Sequence, residues 1–215
     1  MITEIRKAVN QARRDRTREK LLDAAALVFQ RKGYHGALVS DVVVEAGVGQ
    51  GTFYRHFESK RELFDALFDR VMVQIVTEVA GIAESLPENI QEYREASVRV
   101  VAASARVLKA NGGMVQLFFT EGPSVDAEFR AKLESVHQEI AAMAAEYLRH
   151  AMSLGFAREC HTRVISQMLV GAGVRLVNEY FNGHLDDIGI DGAVREAVEF
   201  AFSGFGPGSG GPSCP

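Results

Sequence analysis

"GVGQGTFYRHF", residues 47–57, sets glycines at positions 47, 49 and 51 and follows them with aromatic and basic side chains. Alternating glycines ahead of a helix can cradle a phosphate, so the stretch is either a nucleotide loop or a turn that meets phosphate another way. A Walker-type loop needs Lys and then Ser or Thr directly after its glycines, behind a buried strand. Here Gly51 leads into Thr52 and Phe53, and the next lysine is Lys60. A dinucleotide fingerprint needs G-x-G-x-x-G after a strand, whereas this is G-x-G-x-G after a helical segment. The nucleotide reading fails on both counts.

A turn between two helices accounts for each residue. Gly47 permits the positive φ at which one helix ends and another starts steeply. Val48 plugs the turn, and Gly49 serves as N-cap of the next helix, expected over about 50–56. Phe53 and Phe57, four apart, form that helix's buried face. Gln50, Thr52, Tyr54, Arg55 and His56 remain for other faces, a set of donors, rings and positive charge suited to phosphates and base edges. The pattern is a helix-turn-helix, and the phosphate belongs to DNA.

The flanks agree. From Thr17 to Lys32, Leu21, Leu22, Ala25, Val28 and Phe29 share one helical face, and Gly33 supplies a left-handed stop. Residues 39–47 are valine-rich, which favours a strand by propensity. Val39, Val42, Val43 and Ala46 instead follow helical spacing, so a helix is expected. Ser59 and Glu62 form a capping box for a helix running to Pro87. Further helices are expected at about 90–110, 114–121, 126–154, 161–182 and 192–203. The Gly/Pro/Ser-rich end reads as a disordered tail. The fold class expected is all-α. A basic arm with a three-helix DNA-binding domain fills 1–60, a larger helical domain 61–205 and the tail 206–215.

Charge divides the same way. Residues 1–60 carry 11 Lys and Arg against 7 Asp and Glu, a net of +4, whereas 61–215 carry 13 against 21, a net of −8. A basic front on an acidic body fits a chain whose first domain alone approaches a polyanion. No apolar run reaches the roughly 18–20 residues of a membrane span. No secretory signal is evident, and Cys160 and Cys214 form no disulfide framework, so a cytoplasmic location is expected. Cys160 and His161 lack further ligands at metal spacing; no metal or cofactor is expected.

Residues 14–69, "RDRTREKLLDAAALVFQRKGYHGALVSDVVVEAGVGQGTFYRHFESKRELFDALFD", resemble the DNA-binding domain of the TetR family of transcriptional repressors, with "AGVGQGTFYRHFESKREL" as the specific part. The resemblance implies that Gln50 and Arg55 face the major groove. Thr52, Tyr54, His56 and Lys60 would then hold phosphates, and Arg14 and Arg16 would lie near the backbone or minor groove. Ser40, at the start of the second helix, joins this set. Arg61 reads as a solvated charge. Three residues depart from the family pattern. Leu38 stands where a capping Thr is usual, which leaves Ser40 or a late start for the second helix. Val43 replaces Ala at a close helix approach, and Gly49 replaces Ser or Thr.

In the second domain the resemblance implies a small effector among central helices. Tyr93, Ser97, Phe118, Phe119, His137 and Met143 are the candidate contacts, set against their more ordinary role as core. Their apolar lining favours a hydrophobic or amphipathic ligand. Residues 165–181 and 193–205 are apolar over more than one face, and Gly171, Ala172 and Gly173 allow close approach. A two-fold four-helix interface from about 161–205 is therefore expected, which would present two recognition helices to a palindromic operator. The expected function is a homodimeric repressor released by its effector. The rival is an all-α carrier or enzyme keeping a degenerate helix-turn-helix, although no nucleophile–base set or cofactor motif supports it.

Overall fold

The computed structural model describes residues 1–80, 82 and 87–205; the side chains of Ile2 and Phe205 are excepted. The tail expected at 206–215 lies outside them. Ten helices are found among the described residues: α1 (Ile2–Gly36), α2 (Val39–Ala46), α3 (Gln50–Phe53), α4 (Lys60–Ala80), α5 (Ile90–Ala110), α6 (Gly112–Thr120), α7 (Gly122–Val125), α8 (Ala127–Ser153), α9 (Thr162–Phe181) and α10 (Gly189–Phe205). No strand occurs among them, and none of these helices is long and apolar enough to cross a membrane.

The all-α class is as expected, with three local differences. α1 starts at Ile2, because nothing between Ile2 and Thr17 breaks a helix. "EGPS" carries the short α7, with its proline in the first turn, where the missing N–H costs nothing. α10 starts at Gly189 rather than near 192.

The chain divides into two compact units, Met1–Val73 with Gly113–Arg130, and Gln74–Gly112 with Ala131–Pro215. The division falls inside α4 rather than at residue 60, and α6 and α7 join the first unit. Aromatic packing explains this. Phe64 and Phe68 on α4 meet Phe118 on α6 at 5.2 and 5.3 Å between ring centroids, and Phe129 at 5.0 and 5.4 Å. Phe29 on α1 stands edge-on to Phe64.

Gly33, with φ 70° and ψ 169°, ends the regular part of α1 in a region open to glycine alone. That ψ differs from the left-handed helical cap expected. The turn releases the Tyr34 N–H, which donates to the Glu121 carboxylate at 2.8 Å. A Cβ on Gly33 would come within 2.6 Å of that carboxylate, so the glycine serves both the turn and the approach.

In the second unit α10 packs against α5 and α9. Its core cluster of Tyr93, Leu148, Ala151 and Ala157 is flanked by Tyr147, Met152, Phe156, Ile165 and Phe202.

Candidate nucleic-acid interface

α2 forms as a helix despite its valines, because Val42 and Val43 are buried against the domain and packing outweighs propensity. Leu38 offers no side-chain acceptor, and Ser40 is exposed in the first turn. Asp41 makes the reciprocal half of a capping box, its carboxylate accepting the Leu38 N–H at 3.0 Å. Asp41 also pairs with Lys32 at 2.7 Å, and these bonds hold its carboxyl below the usual range. At the far end Gly47 is left-handed (φ 64°, ψ 38°). Its N–H donates to Val44 and that of Val48 donates to Val43, the paired bonds of a Schellman cap.

Gly49 N-caps α3, as expected. α3 itself is one turn, shorter than the expected 50–56; Tyr54–His56 continue as turns in which His56 and Phe57 donate to the Phe53 carbonyl. Phe53 and Phe57 are fully buried, their rings 5.9 Å apart. They turn Gln50, Tyr54 and Arg55 outward, with Thr52 and His56 half-buried. Tyr54 is 57% exposed, which leaves its ring and hydroxyl open to solvent. Arg55 donates to the Thr52 hydroxyl at 3.0 Å. Burial, and then the charges of Arg14, Arg55 and Arg18, hold the His56 imidazole below its ordinary pKa. Arg14 and Arg16 are both exposed on α1.

Two basic residues behave otherwise than expected. Lys60 Nζ donates to the carbonyls of Tyr34 and Ala37 at 2.7 and 2.8 Å, with His35 at 3.5 Å, and lies 4.5 Å from the Tyr34 ring centroid. Its three donors close the open end of α1, so in this structure it offers none to a phosphate. Arg61 is no solvated charge: its Nε donates to Asp126 at 2.6 Å and its guanidinium covers the Phe129 ring. The Ser59 capping box forms in part. The Ser59 hydroxyl accepts the Glu62 N–H at 3.1 Å, while the Glu62 carboxylate turns to the Glu58 N–H.

The six effector candidates divide between the two units. Phe118 is 3% exposed within the aromatic core of the first unit, and the half-buried Phe119 belongs to that unit too. Met143 is 67% exposed on α8, and His137 is half-buried. Tyr93 is core: its hydroxyl donates to the Tyr147 carbonyl, and the Ser97 hydroxyl donates to the Tyr93 carbonyl within α5. Helical spacing says which residues share a face, but not which neighbour covers it. Beside Tyr93 lie Tyr147 and His150, of which sequence reasoning passed over His150. Their rings lie 4.1 and 6.3 Å from that of Tyr93, and His150 Nε2 is buried with no hydrogen-bond partner among the described residues. Their i, i+3 spacing on α8, opposite an aromatic on α5, was the available signal.

Residues 21–67 match the family model described as bacterial regulatory proteins, tetR family. The chain is 28% identical over 196 residues to the HTH-type transcriptional activator FasR of Mycolicibacterium smegmatis, covering 91% of this chain and 85% of FasR. The Bacillus subtilis transcriptional regulator FadR in complex with stearoyl-CoA superposes with a TM-score of 0.72 at 22% identity, over 86% of this chain and 98% of that one. A transcriptional regulator from Saccharomonospora viridis in complex with choline gives 0.73 at 19% identity, over 89% and 98%. These structural likenesses show a shared fold.

Proposed function

We propose that this chain, whose residues 21–67 match the tetR family model, is a homodimeric DNA-binding repressor of that family, released from a palindromic operator by a small, largely apolar effector. One observation carries the DNA reading: Gln50, Tyr54 and Arg55 stand outward on a turn whose Phe53 and Phe57 are fully buried. A ring and two long polar side chains held out by a rigid base suit groove and phosphate contact better than any catalytic use. Gln50 bonds bidentately to an adenine, and Tyr54 and His56 meet phosphates.

Dimerisation through about 161–205 is supported by Val164, Met168 and Phe200, which are 51%, 62% and 78% exposed. A Cβ on Gly171 or Gly173 would meet only open space, which leaves that part of α9 accessible to a partner helix. For the effector, the complexes of structurally similar regulators with stearoyl-CoA and choline support a ligand with an apolar or amphipathic body. We place it near Tyr93, Tyr147 and His150, where the unpartnered imidazole nitrogen would receive a polar group. The effector acts by binding more tightly to the dimer state that fits the operator poorly.

The test starts by selecting bound sequences from random duplex DNA with the full-length protein. Gln50→Ala should relax preference at one base pair per half-site, by roughly 1–3 kcal/mol. Stearoyl-CoA, stearate and choline are then titrated onto the complex, and a promoter fusion reads the sign of control. Recovery of no shared sequence overturns the DNA reading. Indifference to all three ligands overturns the apolar-effector reading, and a fall in expression on deleting the protein overturns repression.

A further inference from the structure

α1 extends well upstream of the domain it serves. From Leu21 onward one face is core, with Leu21, Leu22, Ala25, Val28 and Phe29 all buried. Upstream of Leu21 the same face changes character. Lys7, Gln11, Arg14 and Arg18 follow in steps of four, three and four residues, so they lie in line with that core face. The opposite side holds Ile5 and Val9, 58% and 61% exposed. Every described side chain from residue 3 to 16 is exposed, so this part of the helix packs on nothing in its own unit.

The basic face is tied to the DNA-reading end of the domain. The Arg18 guanidinium lies 5.0 Å from the Phe57 ring centroid, and the positive charges of Arg14 and Arg18 reach His56. Among the described residues, Lys7 and Arg14 make no ion pair, and Gln11 bonds Asp15 along the helix. A helix rises about 1.5 Å per residue, so Lys7 stands roughly 20 Å beyond Leu21. A rod of that reach with three cations and an amide along one face complements the backbone of a duplex, which presents a charge about every 1.7 Å of axis.

We infer that the N-terminal extension of α1 lays its Lys7, Gln11, Arg14 and Arg18 face along the phosphate backbone flanking each half-site. The inference rests on the DNA-binding reading above. It divides the two arginines assigned by resemblance: Arg14 lies on this face, and Arg16, two residues on, lies nearly opposite.

The test uses the duplex selected by the full-length protein, cut at the outer edges of its half-sites, and the same duplex lengthened by about ten base pairs on each side, roughly one helical turn. Lys7→Glu is compared with Arg6→Glu, an equal charge change on the neighbouring residue about 100° around the helix. Wild type should bind the long duplex at least tenfold more tightly than the short one. Lys7→Glu should abolish that gain, and Lys7→Ala should shallow the log-affinity against log-salt slope by about two, one per half-site, on the long duplex only. Arg6→Glu should keep most of the gain, and Lys7→Arg all of it. Equal effects of Lys7→Glu and Arg6→Glu would show a diffuse charge effect and overturn the proposed face. So would equal wild-type affinity for the two duplexes. Failure of wild type to bind either duplex would overturn the DNA-binding reading itself, and the inference with it.

Discussion

The two units of this chain are built from different materials. The largest fully buried side chains, Phe29, Phe53, Phe57, Phe64, Phe129, Leu21, Leu22, Leu63, Leu67, Val28, Val42 and Val115, all belong to the first unit. The second unit buries mainly small residues, such as Ala96, Ala103, Ala141, Ala145 and Ala151, and leaves Val164, Met168 and Phe200 largely in solvent. Apolar area taken from water is the main favourable term in folding, at about 25 cal/mol per Å². The first unit therefore draws its burial from large side chains within one chain, although Ile5, Val9, Leu38 and Val44 stay exposed. The second leaves apolar area for a partner to cover, consistent with the dimer and effector proposed for it. A reader of DNA must hold a fixed surface, whereas a sensor gains from a core that a ligand can complete.

The largest expected effect attacks the first unit. Phe118 touches Phe64, Phe68 and Phe129, so Phe118→Ala should cost about 3–5 kcal/mol and abolish operator binding. Denaturant melts with a DNA-binding assay would check it. A variant that kept full stability and DNA affinity while altering effector response would return Phe118 to a ligand site and blur the contrast between the units.

Next is the apolar surface of the second unit. Met168→Glu adds charge to a side chain already 62% exposed, so the monomer should fold as before. Dimerisation should fail, and operator affinity should fall about a hundredfold or more as the two half-sites cease to be linked. Sedimentation velocity and operator titration measure both. Dimers of undiminished affinity would move the interface away from α9.

Lys60 separates a structural charge from a binding one. With its amine on the carbonyls at the end of α1, Lys60→Ala should destabilise the protein by about 1.5–3 kcal/mol. The salt dependence of DNA binding should stay as in wild type. A slope shallower by about two, one per half-site, would mean that the amine swings to a phosphate when DNA binds.

The smallest effect is a pH dependence. Burial and the neighbouring arginines depress His56 in the free protein, and a phosphate beside it would raise it. Binding then takes up a proton, so operator affinity should rise as pH falls from about 7 through the ordinary histidine range near 6.5. It should level off below the free-state pKa. In stability the sign is opposite: with a folded pKa below the unfolded one, this group favours unfolding as pH falls through 6.5. Affinities measured between pH 5 and 8 for wild type and His56→Gln check it; parallel curves would remove His56 from the phosphate contacts.

Much of the first unit was determined by the sequence itself. Helical spacing overrode the strand propensity of "VSDVVVEAG", and Gly47, Gly49, Phe53 and Phe57 hold the places their chemistry required, because capping and turn geometry act over a few neighbouring residues. Side-chain destinations across the chain were decided only by tertiary structure. Asp41, not Ser40, helps to cap α2. Lys60 finds carbonyls 23–26 residues away, Arg61 finds Asp126, and Phe118 closes the core of the first unit instead of lining a pocket in the second. Periodicity assigns a residue to a face of its own helix, but the long-range partner that occupies a donor or covers a ring is set only when distant segments pack together.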